Sequence, residues 1–129
     1  MAIFHDLGEA RSGDQNWVHK RYVKFFEEEI MKDQLSDLTE EEKLIEIMQE
    51  YEERVSLESQ VARDADLLDQ ILLLKEYENN GNKEAEKWLK GKAQLKLTST
   101  ESAKRIALEI HEANTNDWWS GIWTDKRRK

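Results

Sequence analysis

The chain has 129 residues, of which 38% are hydrophobic and 37% are charged, and its formal net charge is −8. This length predicts one domain over residues 1–129, and the negative charge disfavours a nucleic acid polymer as a partner because the two would repel each other. The chain has no cysteine, which excludes disulfides and thiolate chemistry. It shows neither a signal-peptide pattern nor an apolar run approaching the roughly 18 residues of a membrane span. We therefore expect a cytoplasmic protein with no membrane partner.

Helical patterns run along the whole chain. Proline, the strongest helix breaker, is absent, and apolar residues recur at the spacing of amphipathic helices. The sequence predicts an all-α bundle of about five to six helices. In chain order these are a stub ending near residue 7, a helix over about 15–32, one that starts at 39–42, helices over about 57–79 and 83–90, and one from about 101 to 119.

The tryptophans and the basic C-terminus each allow two interpretations. Trp17 and Trp88 are interpreted as core residues. The C-terminal tryptophans indicate a core or an oligomer contact, and the open alternative is a stacking platform for a nucleotide base; they are Trp118, Trp119 and Trp123. Residues 124–129 are predicted to be a disordered, solvated tail, with docking to a partner as the alternative.

A cluster of metal-type ligands begins close to the N-terminus, within the run Phe4–Asp14. Glu9 follows His5 by four residues and Asp6 by three, so in a helix the three side chains approach one face. His5 and Asp6 are adjacent and point about 100° apart around a helix, so both reach one cation only if it lies between them or the turn is distorted. Divalent metals accept imidazole and carboxylate ligands together. The alternative is an ordinary surface pair.

A second acidic cluster, Arg63–Asp69, lies within a strongly apolar helix. A carboxylate that faces a helical core is costly unless it is paired or bound to a metal, which makes Asp66 a candidate ligand. The alternative is that the acidic side chains lie on the solvent face or pair with Arg63; they are Asp64, Asp66 and Asp69.

These two clusters resemble the motifs of a known family. The run Ile3–Ala10, closed by Gly13 and Asp14, resembles the signature of HD-domain metal-dependent phosphohydrolases, and the run Arg63–Leu68 is similar to their second motif. The Glu-Ala-x-x-Gly-Asp continuation is similar to the branch that includes 5'-deoxynucleotidases. The resemblance covers roughly residues 2–80 and implies an all-helical, HD-type bundle.

The resemblance also implies a site. It makes His5, Asp6 and Asp66 ligands of a divalent metal cation, which could be Mn, Co, Zn, Mg or Fe, and it gives Glu9 a catalytic or substrate-orienting role. The family has one more histidine ligand, on a helix upstream of the His-Asp pair. This chain has no such helix, so we expect an N-terminally truncated bundle or a fragment of a longer protein. A site with three ligands should bind metal more weakly, and loss of activity is one open outcome.

The implied function is hydrolysis of a small phosphorylated substrate, a phosphomonoester such as a 5'-nucleotide. Lys20 and Arg63 are candidate contacts to the phosphate, and the alternative for each is a solvated or ion-paired side chain. The alternative for the whole chain is a non-catalytic helical interaction module with a relic metal site. We also expect a homo-oligomer, because loss of the leading helices would uncover apolar surface that self-association would bury.

Overall fold

The computed structural model describes residues 1–120 and residue 122 of the chain. Within these residues all regular structure is helical, as the sequence predicts. The chain forms two compact units, Met1–Ala62 and Arg63–Lys129, and each is described by itself. No helix among the described residues is both long enough and apolar enough to cross a membrane.

Nine helices occur in the described part of the chain, against the five to six that the sequence predicts. They are α1 (Glu9–Ser12), α2 (Trp17–Tyr22), α3 (Glu27–Leu35), α4 (Glu41–Glu53), α5 (Leu57–Asn79), α6 (Lys83–Lys90), α7 (Ala93–Leu97), α8 (Glu101–Glu112) and α9 (Asp117–Ser120). Two predicted helices are each interrupted, and two short helices form where turns or connections were expected. The stub that was predicted to end near residue 7 forms turns instead of a helix.

The core of the first unit lies between α3 and α4. Met31 and Leu35 are four residues apart and therefore share a face of α3, and they pack with Met48 of α4 into one buried cluster. The side chains of Phe4 and Leu7 pack against this cluster. The N-terminal motif is thus attached to the α3–α4 pair by the apolar residues on either side of its His-Asp pair.

The helix predicted over about 15–32 is two helices, α2 and α3. Asn16 caps α2 by accepting hydrogen bonds from the next turn, and Val23 then takes an extended conformation at φ −121° and ψ 130°. Valine and phenylalanine have modest helix propensity. They break a helix less strongly than proline does, but here the backbone between α2 and α3 becomes extended at Val23. The core assignment of Trp17 is wrong, because its side chain is 70% exposed.

The second unit has its own core, formed by Ile71, Leu89 and Ala107 from α5, α6 and α8. The predicted bounds of the long helix are confirmed, because α5 ends at Asn79 and Gly81 follows with a positive φ of 85°. The core assignment of Trp88 is wrong, since 44% of it is exposed.

The last predicted helix ends early. α8 stops at Glu112, and Ala113 is extended at ψ 152° before α9 begins. Trp118 is 77% exposed and Trp119 is 38% exposed, so neither is a core residue of the described structure. Trp123 and the predicted disordered tail, residues 124–129, lie outside the described residues.

Candidate metal centre

The N-terminal motif folds as a series of tight turns that leads into α1. The backbone N–H groups of Phe4 and His5 both donate to the carbonyl of Met1, at 2.8 and 3.1 Å. Glu9 N–H donates to the carbonyl of Asp6 at 3.0 Å, so the turns are tighter than a regular α-helix. His5 and Asp6 can reach one cation only from an intermediate position or from a distorted turn, and this segment is a distorted turn.

The two ring nitrogens of His5 have different partners. Nδ1 lies 2.9 Å from the carbonyl oxygen of Ala2. A carbonyl oxygen only accepts, so Nδ1 carries the proton of this hydrogen bond. Nε2 lies 3.1 Å from Oδ2 of Asp6. In metal-binding histidines one ring N–H commonly donates to a backbone carbonyl while the other nitrogen binds the metal, and the hydrogen bond from Nδ1 to Ala2 is of the first kind.

The carboxyl group of Glu9 lies in an environment that opposes its charge. Partial burial raises the pKa of Glu9 above its ordinary value of 4.5, and the carboxylates of Asp6 and Asp14 raise it further. The positive charges of Lys20 and His5 oppose the shift. Within the first unit, the charges of the predicted ligands His5 and Asp6 and of the candidate phosphate contact Lys20 therefore act on the carboxyl group of the predicted catalytic Glu9.

The second motif lies at the start of the second unit. Nη1 of Arg63 is 2.5 Å from Oδ2 of Asp66, with the two side chains 29% and 36% exposed. This ion pair is the alternative that the sequence analysis held open for Asp66. The role of Asp66 as the third metal ligand stays a prediction.

The buried acid of the second motif is Asp64, which is 2% exposed. Its carboxylate accepts hydrogen bonds from Ser99 N–H at 2.7 Å, from Thr100 N–H at 2.8 Å and from the Thr100 hydroxyl at 2.7 Å. Thr100 is the N-cap of α8, so Asp64 ties α5 to the start of α8. Sequence reasoning missed this role, although the Thr-rich segment before Glu101 signalled a helix start.

The fit of a metal can be judged from the first unit. His5 Nε2 and Asp6 Oδ2 are a nitrogen and an oxygen donor that lie 3.1 Å apart. One cation can bind two donors at this separation. Within the residues that the structure describes, no three His, Asp or Glu side chains gather closely enough to hold a metal ion. The other histidines do not add to the pair: His19 is exposed on α2 and His111 lies in the second unit.

Comparison with known proteins decides the family. The family model described as HD domain matches residues 1–109. The chain belongs to the HD domain family. The HD domain match contains both motifs, the one at His5 and the one at Asp66, and it extends into α8. No curated protein and no solved structure matches the chain.

Membership of the HD domain family carries two general statements. It associates the chain with the metal-dependent phosphohydrolase superfamily, and HD domains typically bind divalent metals. The donor atoms of His5 and Asp6 agree with such a metal, because imidazole and carboxylate ligands suit several divalent first-row ions.

Proposed function

We propose that this HD domain hydrolyses phosphomonoesters in a metal-dependent reaction, with 5'-nucleotides as the first substrate class and the 5'-deoxynucleotidases as its nearest branch. The observation that carries the proposal is the convergence of His5 Nε2 and Asp6 Oδ2, 3.1 Å apart, beside a carboxyl group whose pKa is raised. A donor pair next to a proton-accepting group is what hydrolysis of a phosphate ester requires.

The metal would be held by His5, Asp6 and Asp66. When bound, a divalent cation lowers the pKa of its water and polarises a phosphoryl oxygen. The hydrogen bond from His5 Nδ1 to Ala2 leaves Nε2 as the coordinating atom. For Asp66 to bind the metal, its carboxylate must either keep its ion pair with Arg63 while it coordinates the cation or break that ion pair.

Glu9 handles the proton in this scheme. A general base works best when its pKa lies near the working pH, and burial together with Asp6 and Asp14 raises the pKa of Glu9 in that direction. Glu9 would accept the proton of the attacking water and later return a proton to the leaving alkoxide.

The phosphate group would be met by Lys20 and Arg63. Lys20 is close enough to Glu9 to lower its pKa, so its ammonium group can also attract a phosphate that lies beside Glu9. Arg63 binds the carboxylate of Asp66, and a guanidinium carries five N–H donors in a planar fork that matches the geometry of a phosphate group.

A second candidate function is a non-catalytic interaction module. Two observations favour it: Asp66 is paired with Arg63, and the aromatic side chains of α2 are exposed, with Trp17 at 70% and Tyr22 at 76%. Exposed aromatic groups of this kind are common where proteins associate. Under either function we propose that the chain forms a homo-oligomer.

The test combines metal analysis with an activity assay. Elemental analysis of the purified chain, followed by assay of a phosphomonoester and a 5'-nucleotide with added manganese, cobalt or zinc, should show bound metal and turnover. Asp6→Asn should abolish both, whereas Asp33→Asn, which changes an exposed carboxylate on α3, should change neither. Absence of metal and turnover from the wild-type chain would support the interaction module.

A further inference from the structure

Tyr51 lies behind the imidazole of His5. Its side chain is buried on α4, with 4% exposed, and its ring centroid is 5.3 Å from that of His5 at an interplanar angle of 46°. Both residues belong to the first unit. The distance falls within the 4.5–7 Å range over which aromatic rings attract each other.

The contact with Tyr51 complements the hydrogen bond that His5 makes to Ala2. The hydrogen bond at 2.9 Å decides which ring nitrogen carries the proton. This hydrogen bond joins the imidazole to a carbonyl only three residues earlier, in the same short turn. Because that carbonyl moves with the turn, the hydrogen bond does not by itself fix the imidazole relative to the rest of the first unit. The ring of Tyr51 comes from α4, outside this turn, and limits how far the imidazole can rotate. Together the two contacts aim Nε2 at Asp6.

The helix that carries Tyr51, α4, is anchored in the core of the first unit. Met48 lies one helical turn before Tyr51 on α4 and is buried in the cluster with Met31 and Leu35. A second link joins the same helix pair to the motif, because Gln34 of α3 donates from Nε2 to the carbonyl of Leu7 at 3.1 Å. The α3–α4 pair therefore holds the motif both at the His5 side chain and at the backbone after Asp6.

We propose that Tyr51 is a positioning residue for the metal site, which holds the His5 imidazole in its coordinating orientation; this rests on the proposed function. The proposed role belongs to the aromatic ring, whose contact with the imidazole is the one described above. Loss of a group that orients a metal-bound histidine typically weakens metal binding by 10- to 100-fold. Tyr51→Leu should therefore weaken binding of Mn²⁺ or Co²⁺ by at least about 10-fold, while Tyr51→Phe should stay within about 2-fold of the wild type.

The first measurement needs no metal. NMR spectra of the metal-free chain should show the ring protons of His5 displaced by the ring current of Tyr51, with the signal assigned through its loss in His5→Gln. The displacement should persist in Tyr51→Phe and disappear in Tyr51→Leu. An unchanged His5 signal in Tyr51→Leu would overturn the contact itself.

The second measurement is titration of the metal-free variants with Mn²⁺ and Co²⁺. Leu89→Ala is the control, because it removes a buried side chain from the core of the second unit, to which neither Tyr51 nor the segment around His5 belongs. It should lower stability and leave the metal affinity of the folded chain unchanged. If Tyr51→Leu and Leu89→Ala weaken metal binding equally, Tyr51 acts only through general stability and the proposal is wrong.

The two proposals fail in different ways. If the wild-type chain binds no metal, the proposed function fails, while the NMR comparison still decides whether Tyr51 orients His5. If His5→Gln abolishes metal binding but Tyr51→Leu binds as tightly as the wild type, the proposed function stands and the positioning role of Tyr51 is overturned.

Discussion

Replacement of Asp64 by alanine should destabilise the second unit strongly. The carboxylate is 2% exposed and accepts the N–H groups of Ser99 and Thr100 together with the Thr100 hydroxyl, all within 2.8 Å. It therefore joins α5 to the segment that starts α8. Asp64→Ala removes all of these hydrogen bonds at once and leaves a void beside them.

The magnitude follows from the donors that lose their partner. A hydrogen bond to a charged group contributes about 1.5–3 kcal/mol, but the full sum overstates the loss. Ser99 is exposed and Thr100 is half-buried, so water can reach the released N–H groups. Thr100 also keeps its own capping bond to Ala103. We expect a loss of about 2–4 kcal/mol in the free energy of unfolding.

Urea denaturation followed by far-UV circular dichroism measures this loss. Asp69→Ala is the matched control, because it removes an exposed carboxylate from the same helix and should change the free energy of unfolding by less than about 0.5 kcal/mol. The reasoning is refuted if Asp64→Ala unfolds at the same urea concentration as the control.

Three further predictions concern Asp66, Glu9 and His111. Asp66→Ala should remove metal from the chain and abolish phosphatase activity with folding largely kept, since its carboxylate is partly exposed; unchanged metal content by elemental analysis would exclude it as a ligand. Glu9→Gln should keep metal, lower turnover by about 10²–10⁴ and raise stability at pH 7. The gain in stability arises because the folded-state pKa of Glu9 is raised. The contribution of Glu9 to stability is therefore present below pH 4.5 and is lost as the pH rises through the folded pKa. Wild-type turnover in Glu9→Gln would exclude Glu9 as the proton-handling group. The pKa of His111 is lowered, first by burial and then by two nearby lysines, so its contribution to stability is present above pH 6.5 and is lost as the pH falls. His111→Gln should flatten the stability profile below pH 6.5 in urea titrations at several pH values, and a profile as steep as that of the exposed-site control His19→Gln would contradict this.

The sequence predicted elements best where strong local signals bound them. The ends of α5 were predicted correctly because its long apolar stripe is followed directly by the run Asn79–Asn82. Within that run Gly81 has a positive φ, a conformation that commonly follows the end of a helix. The break between α2 and α3 was missed because no glycine or proline marks it. Helical periodicity alone therefore placed Trp17 on an inward face that does not exist.

The site was predictable in its residue types and less so in its contacts. Because His5 and Asp6 are adjacent, they were expected to reach one cation only if it lay between them or if the turn was distorted. The structure shows a distorted turn, in which the two side chains lie close together. Tyr51 is buried and its ring contacts that of His5, but no local signal in the sequence relates it to a residue 46 positions earlier. Asp64 likewise finds its partners 35 and 36 residues away. Such contacts depend on tertiary packing, which a short motif does not encode.

The most direct test of the account is whether one cation approaches His5, Asp6 and Asp66 together. Substoichiometric Mn²⁺ added to the ¹⁵N-labelled chain broadens the NMR signals of nearby residues. The account predicts that the amide signals of residues 5, 6 and 66 broaden in parallel as Mn²⁺ is added. Broadening at residues 5 and 6 with a sharp signal at residue 66, or no broadening at any of them, would contradict it.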